Sequence, residues 1–400
     1  MATFLKNPPD FARHNEEVRR VKAAYDAGIP IRVPMVIAGS ITNYFANPEL
    51  NTRGYSFRDY FEDPGVQIQA QLEFQDYQRH HWVCDRPMGL PEEGWALSVD
   101  FQNSYDASWC GCELVYMDGY LPDTLPMLHA RKEKLYDLPE TLPCDGGLIG
   151  RGIAFREEMK DYCLRHTYKD CPILPPAWFV GEGTDGVLDL AYKLRGAENI
   201  LLDMYEDENY YHDLMEYLTR NLIRRMQALR ERRWAEEPQS TDCGQMRSGD
   251  FGIADDAIAL ISHEAYMAYV YPYHRRIVDA FSDGSGITMH ICGANMQHFE
   301  GLVKHLGVKG FDTGFPIDFG RMRELVGPDV AIQGGPTVML VKDGTAEEIE
   351  AEVRRILSTG VTAGGKFVMI AANNLAPLTP AENIAAMYEA VKRYGRYACD

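Results

Sequence analysis

Through the second half of the chain, short apolar runs alternate with longer stretches whose apolar residues recur at helical spacing. Runs with strand character fall at residues 33–38, 95–101, 176–182, 245–250, 287–292, 310–314, 330–333 and 366–372. Between them, Leu214, Leu218, Leu222 and Met226 mark one face of a helix over 209–233, and Ser262 is placed to cap a helix over 263–281. Thr345 followed by Glu348 reads as a capping box opening a helix to Leu357. Thr379 and Glu382 read as a second box, with Pro380 at the first helical position of a helix to Tyr394. Strand followed by helix through the second half, with eight strand-like runs in all, predicts an α/β fold: a (β/α)8 TIM barrel with its active site at the C-terminal ends of the strands.

Residues 1–400 read as one such domain. The stretch 57–145 breaks the alternation, being rich in Trp, Tyr, Pro and Gly, with a hairpin expected around Cys110–Met117. It is expected to be an elaboration over the mouth of the barrel or a packing insertion. Tyr44, Phe45, Trp82 and Trp95 are candidates for an apolar wall there, or for plain core.

The net charge of −19 would repel polyanions, which argues against nucleic acid and anionic membrane as partners. The N-terminal residues lack the apolar core of a secretory signal, and no uninterrupted apolar run is long enough to span a bilayer. With nine scattered cysteines, an odd number, these features predict a cytoplasmic chain with reduced thiols. The Cys110-Gly111-Cys112 pair is geometrically poor as a metal or redox site by itself.

The sharpest chemical signal is the run Gly286–Gly293. Strand alternation sends Ile287, Met289 and Ile291 to one face and Thr288, His290 and Cys292 to the other. With the aliphatic face packed under helices, His290 and Cys292 point into the barrel, where an imidazole beside a thiolate suits zinc or another thiophilic metal. A hydrogen-bonded core histidine and a small apolar cysteine are the structural alternative. Asp250 and Glu182, at the ends of two predicted strands, are candidates to complete a metal site, act as general acid or base, or hold substrate. Asp312 is a similar strand-end acid. Gln333, Asn373 and Asn374 are carboxamides at strand ends that a substrate would satisfy.

The run His290-Ile291-Cys292-Gly293, the triplet Gly334-Gly335-Pro336 and the stretch Ala372–Asn383 resemble the uroporphyrinogen decarboxylase superfamily. Leu194–Asn199 with Leu202–Tyr205, and Ile261–Glu264 with Tyr271-Pro272-Tyr273, agree with it, so the likeness runs from about Cys171 to Tyr394. The His-x-Cys-Gly motif is similar to that of the superfamily's corrinoid- and coenzyme M-dependent methyltransferases. True decarboxylases carry an arginine-rich segment near the first strand, whereas Ile31–Gly39 holds one arginine, Arg32.

The resemblance implies zinc held by His290, Cys292 and a second thiolate on the last strand. Asn373 stands at that third place, so either the third ligand comes from elsewhere or the metal is absent. It also implies a small-molecule substrate and a corrinoid carried by a partner protein, with methyl transfer between them. A decarboxylase or lyase of a small organic acid, using Asp250 and His290, and a barrel that only binds a ligand are the alternatives.

Overall fold

The ladder that organises the molecule is a six-stranded parallel sheet in strict sequence order. Its strands are β1 (Gly183–Asp185), β2 (Gly252–Ala254), β3 (Ile287–Ile291), β4 (Val308–Thr313), β5 (Ala331–Gly334) and β6 (Phe367–Met369). The computed structural model describes residues 3–179, 183–236 and 251–397. Residues 33–37 extend the ladder past β6 through a parallel bridge from Met35 to Met369. Val36 donates its N–H to Met369 O, and Met369 returns one to Pro34 O. Trp95–Ala96 pairs in parallel with Ile173–Leu174. Together these segments wrap as a (β/α)8 barrel, as the alternation of apolar runs predicts.

Three of the eight expected strands differ in extent. The first is a single bridge, and the second shortens to Trp95–Ala96. For the third, residues 175–179 are not strand; Cys171–Leu174 before them pairs with Trp95–Ala96, and β1 after them joins the six-stranded ladder. The expected strand at 245–250 lies outside the described residues, and β2 begins just after it. The hairpin expected around Cys110–Met117 lies further on, pairing Leu114–Val115 with Asp123–Thr124. Residues 57–145 also hold ordinary helices, at Phe57–Glu62 and Pro64–His81. Tyr44, Trp82 and Trp95 are core residues, each 5% exposed or less.

Helix boundaries follow their local chemistry. The box at Thr345 forms in both directions, Glu348 N to Thr345 Oγ1 and Thr345 N to Glu348 Oε2. The box expected at Thr379 does not form, because the Thr379 hydroxyl donates to Ala376 O in the preceding turn and Glu382 accepts from Lys6 N. Pro380 therefore sits just outside the helix Ala381–Tyr394. Ser262 caps its helix through Ala265 N, but that helix widens into a π turn over Tyr266–Val270. Pro272 follows at once, and its missing N–H removes the bond that would keep the turn tight. Among the described residues, no helix is long and apolar enough to cross a membrane.

Alternation along the strands divides the barrel as expected. Ile287, Met289, Ile291, Phe311, Ile332, Phe367 and Met369 are buried under the helices. Inside, the register aligns Gly183, Gly252, Thr288, Gly310 and Ala331 at one level. Asp185, Ala254, His290, Asp312 and Gln333 align at the level above. Barrels usually fill such levels with branched apolar side chains. Here the lower level is mostly glycine and alanine, and a cavity of about 570 Å³ occupies the space.

Candidate active site at the strand ends

The site assembles where β2, β3 and β4 end. His290 occupies an inward position of β3, and its Nδ1 lies 2.9 Å from Asp312 Oδ2 on β4. Its Nε2 lies 3.2 Å from Cys292 Sγ, so strand alternation brings both residues to the cavity side. Asp312 thereby fixes the ring and leaves Nε2 toward the sulfur, the relation commonly found behind metal-bound histidines. Burial opposes the imidazolium, yet the hydrogen bonds to Asp312 and Cys292 outweigh it and push the His290 pKa up to about 11.

A third donor comes from Asp256, which sequence reasoning missed. It stands two residues past β2, on the same alternating face as Gly252 and Ala254. Its Oδ1 accepts the Cys292 N–H at 2.6 Å and lies 3.8 Å from His290 Nε2. One ligand atom each from Asp256, His290 and Cys292 fall within 4.8 Å of one another. A carboxylate, an imidazole and a thiolate on one side of an open mouth are a fitting donor set for zinc with a position left for substrate. The signal that would have found Asp256 is the alternation Phe251, Ile253, Asp255 against Gly252, Ala254, Asp256.

Asp255, the other member of that alternation, points the opposite way and is fully buried. Its Oδ2 lies 2.9 Å from His274 Nε2 and accepts the Leu188 N–H. Asp189 accepts the backbone N–H groups of Asp256 and Ala257 at 3.0 and 2.8 Å, holding the turn that aims Asp256. Burial and the nearby Asp255 carboxylate push the Asp189 pKa up to about 8.

Of the other expected residues, Asp312 and Gln333 line the cavity. Asn373 donates its Nδ2–H to Cys292 Sγ at 3.2 Å, so the residue at the place of a second thiolate still reaches the sulfur. Asn374 is exposed and gives its backbone N–H to Asn373 Oδ1. Asp250 and Glu182 lie outside the described residues. Arg32, the one arginine near the first strand, is buried in a two-pronged pair with Asp85 and a further bond to Glu17. Cys110 and Cys112 are buried free thiols.

The family model for uroporphyrinogen decarboxylase (URO-D) matches residues 183–394, just over half of the chain. A uroporphyrinogen decarboxylase of Gloeobacter violaceus is 31% identical over 132 residues, 32% of this chain and 36% of the relative. A methylcobamide:CoM methyltransferase of Methanosarcina acetivorans is 27% identical over 136 residues, 34% of this chain and 38% of the relative. The matched stretch thus spans little more than a third of either relative's length. A solved methyltransferase from Methanosarcina mazei shares the fold across 94% of this chain and 98% of its own, with TM-score 0.62 and 16% identity.

Proposed function

Because the chain belongs to the uroporphyrinogen decarboxylase family, we propose that it is a metal-assisted methyltransferase moving a methyl group between a small molecule and a corrinoid carried by a partner protein. The observation that carries this reading is the convergence of Asp256, His290 and Cys292 at the mouth of a hollow barrel. Zinc held by these three would act as a Lewis acid toward the heteroatom that bears the methyl group. The surrounding residues fit that task without supplying a nucleophile of their own. Asp312 orients His290, Asn373 and Asp256 hold Cys292 by its sulfur and its amide, and Asp189 holds Asp256. The reacting cobalt would come with the partner's corrinoid.

Arg32 supports this choice over decarboxylation of a polycarboxylate, since its guanidinium is already committed to Asp85 and Glu17. The second reading, a decarboxylase acting on a small acid through His290 and Asp312, draws on the relatives that bear the decarboxylase name. One assay separates them. The zinc-loaded protein is mixed with a reduced corrinoid protein and a panel of methyl donors while the cobalt absorption is followed. Formation of methylcobalt with one donor, lost in Cys292→Ala and Asp256→Asn, is the expected result. Unchanged cobalt bands together with carbon dioxide release from an organic acid would overturn it in favour of decarboxylation.

A further inference from the structure

The cavity beneath His290 carries charged groups, and among the described residues each charge is answered within the chain. Asp312 faces His290 at 2.9 Å, and Asp185 pairs with Lys193. Asp106 lies 2.6 Å from Arg225 Nη1 and accepts from Thr184 Oγ1 and Asp185 N. Arg225 is buried against the Trp109 ring at 4.2 Å, and although its Nε and Nη1 find no hydrogen-bond acceptor among the described residues, the Asp106 carboxylate balances its charge. A charged ligand entering here must break one of these pairs or be desolvated with no free counter-charge among the described residues, both costly.

Two neutral polar groups behave differently. Thr288 and Gln333 project into the barrel from neighbouring levels of β3 and β5, and both remain exposed to the cavity. Beside Thr288, Gly310 and Ala331 leave the floor open. A Cβ placed on Gly310 would meet Ala331 Cβ and Thr288 Cγ2, each at 3.5 Å, and Ala331 O at 3.8 Å, all ordinary contacts, so the backbone does not require glycine there.

We infer that this cavity selects an uncharged ligand, hydrogen-bonded by Thr288 and Gln333 and limited in size by Gly310 and Ala331. The inference rests on the reading of the cavity as the substrate site of a methyl transfer, and names the chemical class of the methyl donor: a neutral alcohol or ether, not a quaternary ammonium or a carboxylate. Its polar atom meets Thr288 and Gln333 while its apolar body fills the space over the small residues.

Three one-ring probes that differ in charge test this by calorimetry on the full-length protein: guaiacol (neutral), 4-methoxybenzoate (anionic) and trimethylphenylammonium (cationic). Guaiacol is expected to bind at least about tenfold more tightly than either ion. Thr288→Val and Gln333→Leu are each expected to weaken it about tenfold, the cost of one lost hydrogen bond. Gly310→Val should exclude the ring while leaving the thermal transition in place. Equal or tighter binding of either ion, no binding of guaiacol, or guaiacol affinity unmoved in both polar variants would overturn the inference. Guaiacol binding without methyl transfer from any donor would count against the methyltransferase reading alone. Methyl transfer from trimethylphenylammonium would count against this inference alone.

Discussion

At the scale of single residues, the site is a question of which atoms can be held still around one sulfur. Cys292 Sγ has His290 Nε2 and Asn373 Nδ2 within 3.2 Å, while its backbone N–H is pinned by Asp256. Removing a ligand and removing the residue behind a ligand should therefore differ in degree. Asp312→Asn keeps the shape but loses the carboxylate that orients His290, and is expected to weaken zinc binding about 10–100-fold. Asp256→Asn should weaken it more, since it reduces three ligands to two good ones. Titration against a chelator of known affinity measures both. Wild-type affinity in Asp256→Asn would remove Asp256 from the ligand set. Cys292 and His290 were legible because they share a strand whose alternate residues are aliphatic. Asp256 was not, because its side of β2 carries only Gly252 and Ala254, and a strand facing a hollow shows no run of bulky residues to mark it.

At the scale of elements, the turn after β2 is fastened to the helix Val187–Arg195 by Asp189 and to the helix Tyr271–Phe281 by the buried Asp255–His274 pair. Asp189 gives this junction a pH dependence of known sign. Its folded pKa, pushed up to about 8 by burial and by Asp255, lies above that of an unfolded aspartate. The folded state thus binds the extra proton between roughly pH 4 and 8. Stability from this group is present at the acid end of that window and is lost as pH rises through it. In Asp189→Asn the fall should be absent, so the stability difference between variant and wild type should move in the variant's favour from pH 5 to pH 8. Denaturant unfolding at several pH values measures it, and parallel profiles for the two proteins would refute the assignment. The neighbouring pair calls for a different test. His274→Ala leaves the Asp255 carboxylate buried without its partner and is expected to cost about 3–5 kcal/mol. None of this junction was visible in the sequence, where the strand was expected at 245–250, outside the described residues. Gly252 and Ala254 lack the bulk that would have extended the apolar signal as far as Asp255.

At the scale of the whole molecule, the sequence pattern was a faithful guide wherever helices cover the barrel and a poor one wherever the barrel is hollow. Strands β3 to β6 overlap their predicted runs because one face of each must bury Ile, Met or Phe under a helix. The early segments are shorter and were misjudged: the chain touches the six-stranded ladder briefly at Met35, Trp95–Ala96 pairs only with Ile173–Leu174, and side chains complete the contact. Gln71, for instance, bonds Ser98 through both its amide atoms. A barrel built this way would carry the proposed metal donors on two strands, at Asp256 beyond β2 and at His290 and Cys292 on and beyond β3. A bound ion therefore ties together parts of the chain that the unfolded state leaves far apart. Zinc that binds the native chain and not the unfolded one must raise apparent stability by mass action, about 2.7 kcal/mol at a free concentration one hundred times the dissociation constant. Thermal scans of the protein with zinc and after chelation are expected to differ by a few degrees, the zinc form being higher. Cys292→Ala should show the same transition under both conditions, because the ion then has no complete site to favour. A zinc-dependent shift of equal size in that variant would place the metal elsewhere on the chain, and the Asp256–His290–Cys292 cluster would be left as a hydrogen-bonded acid–base group.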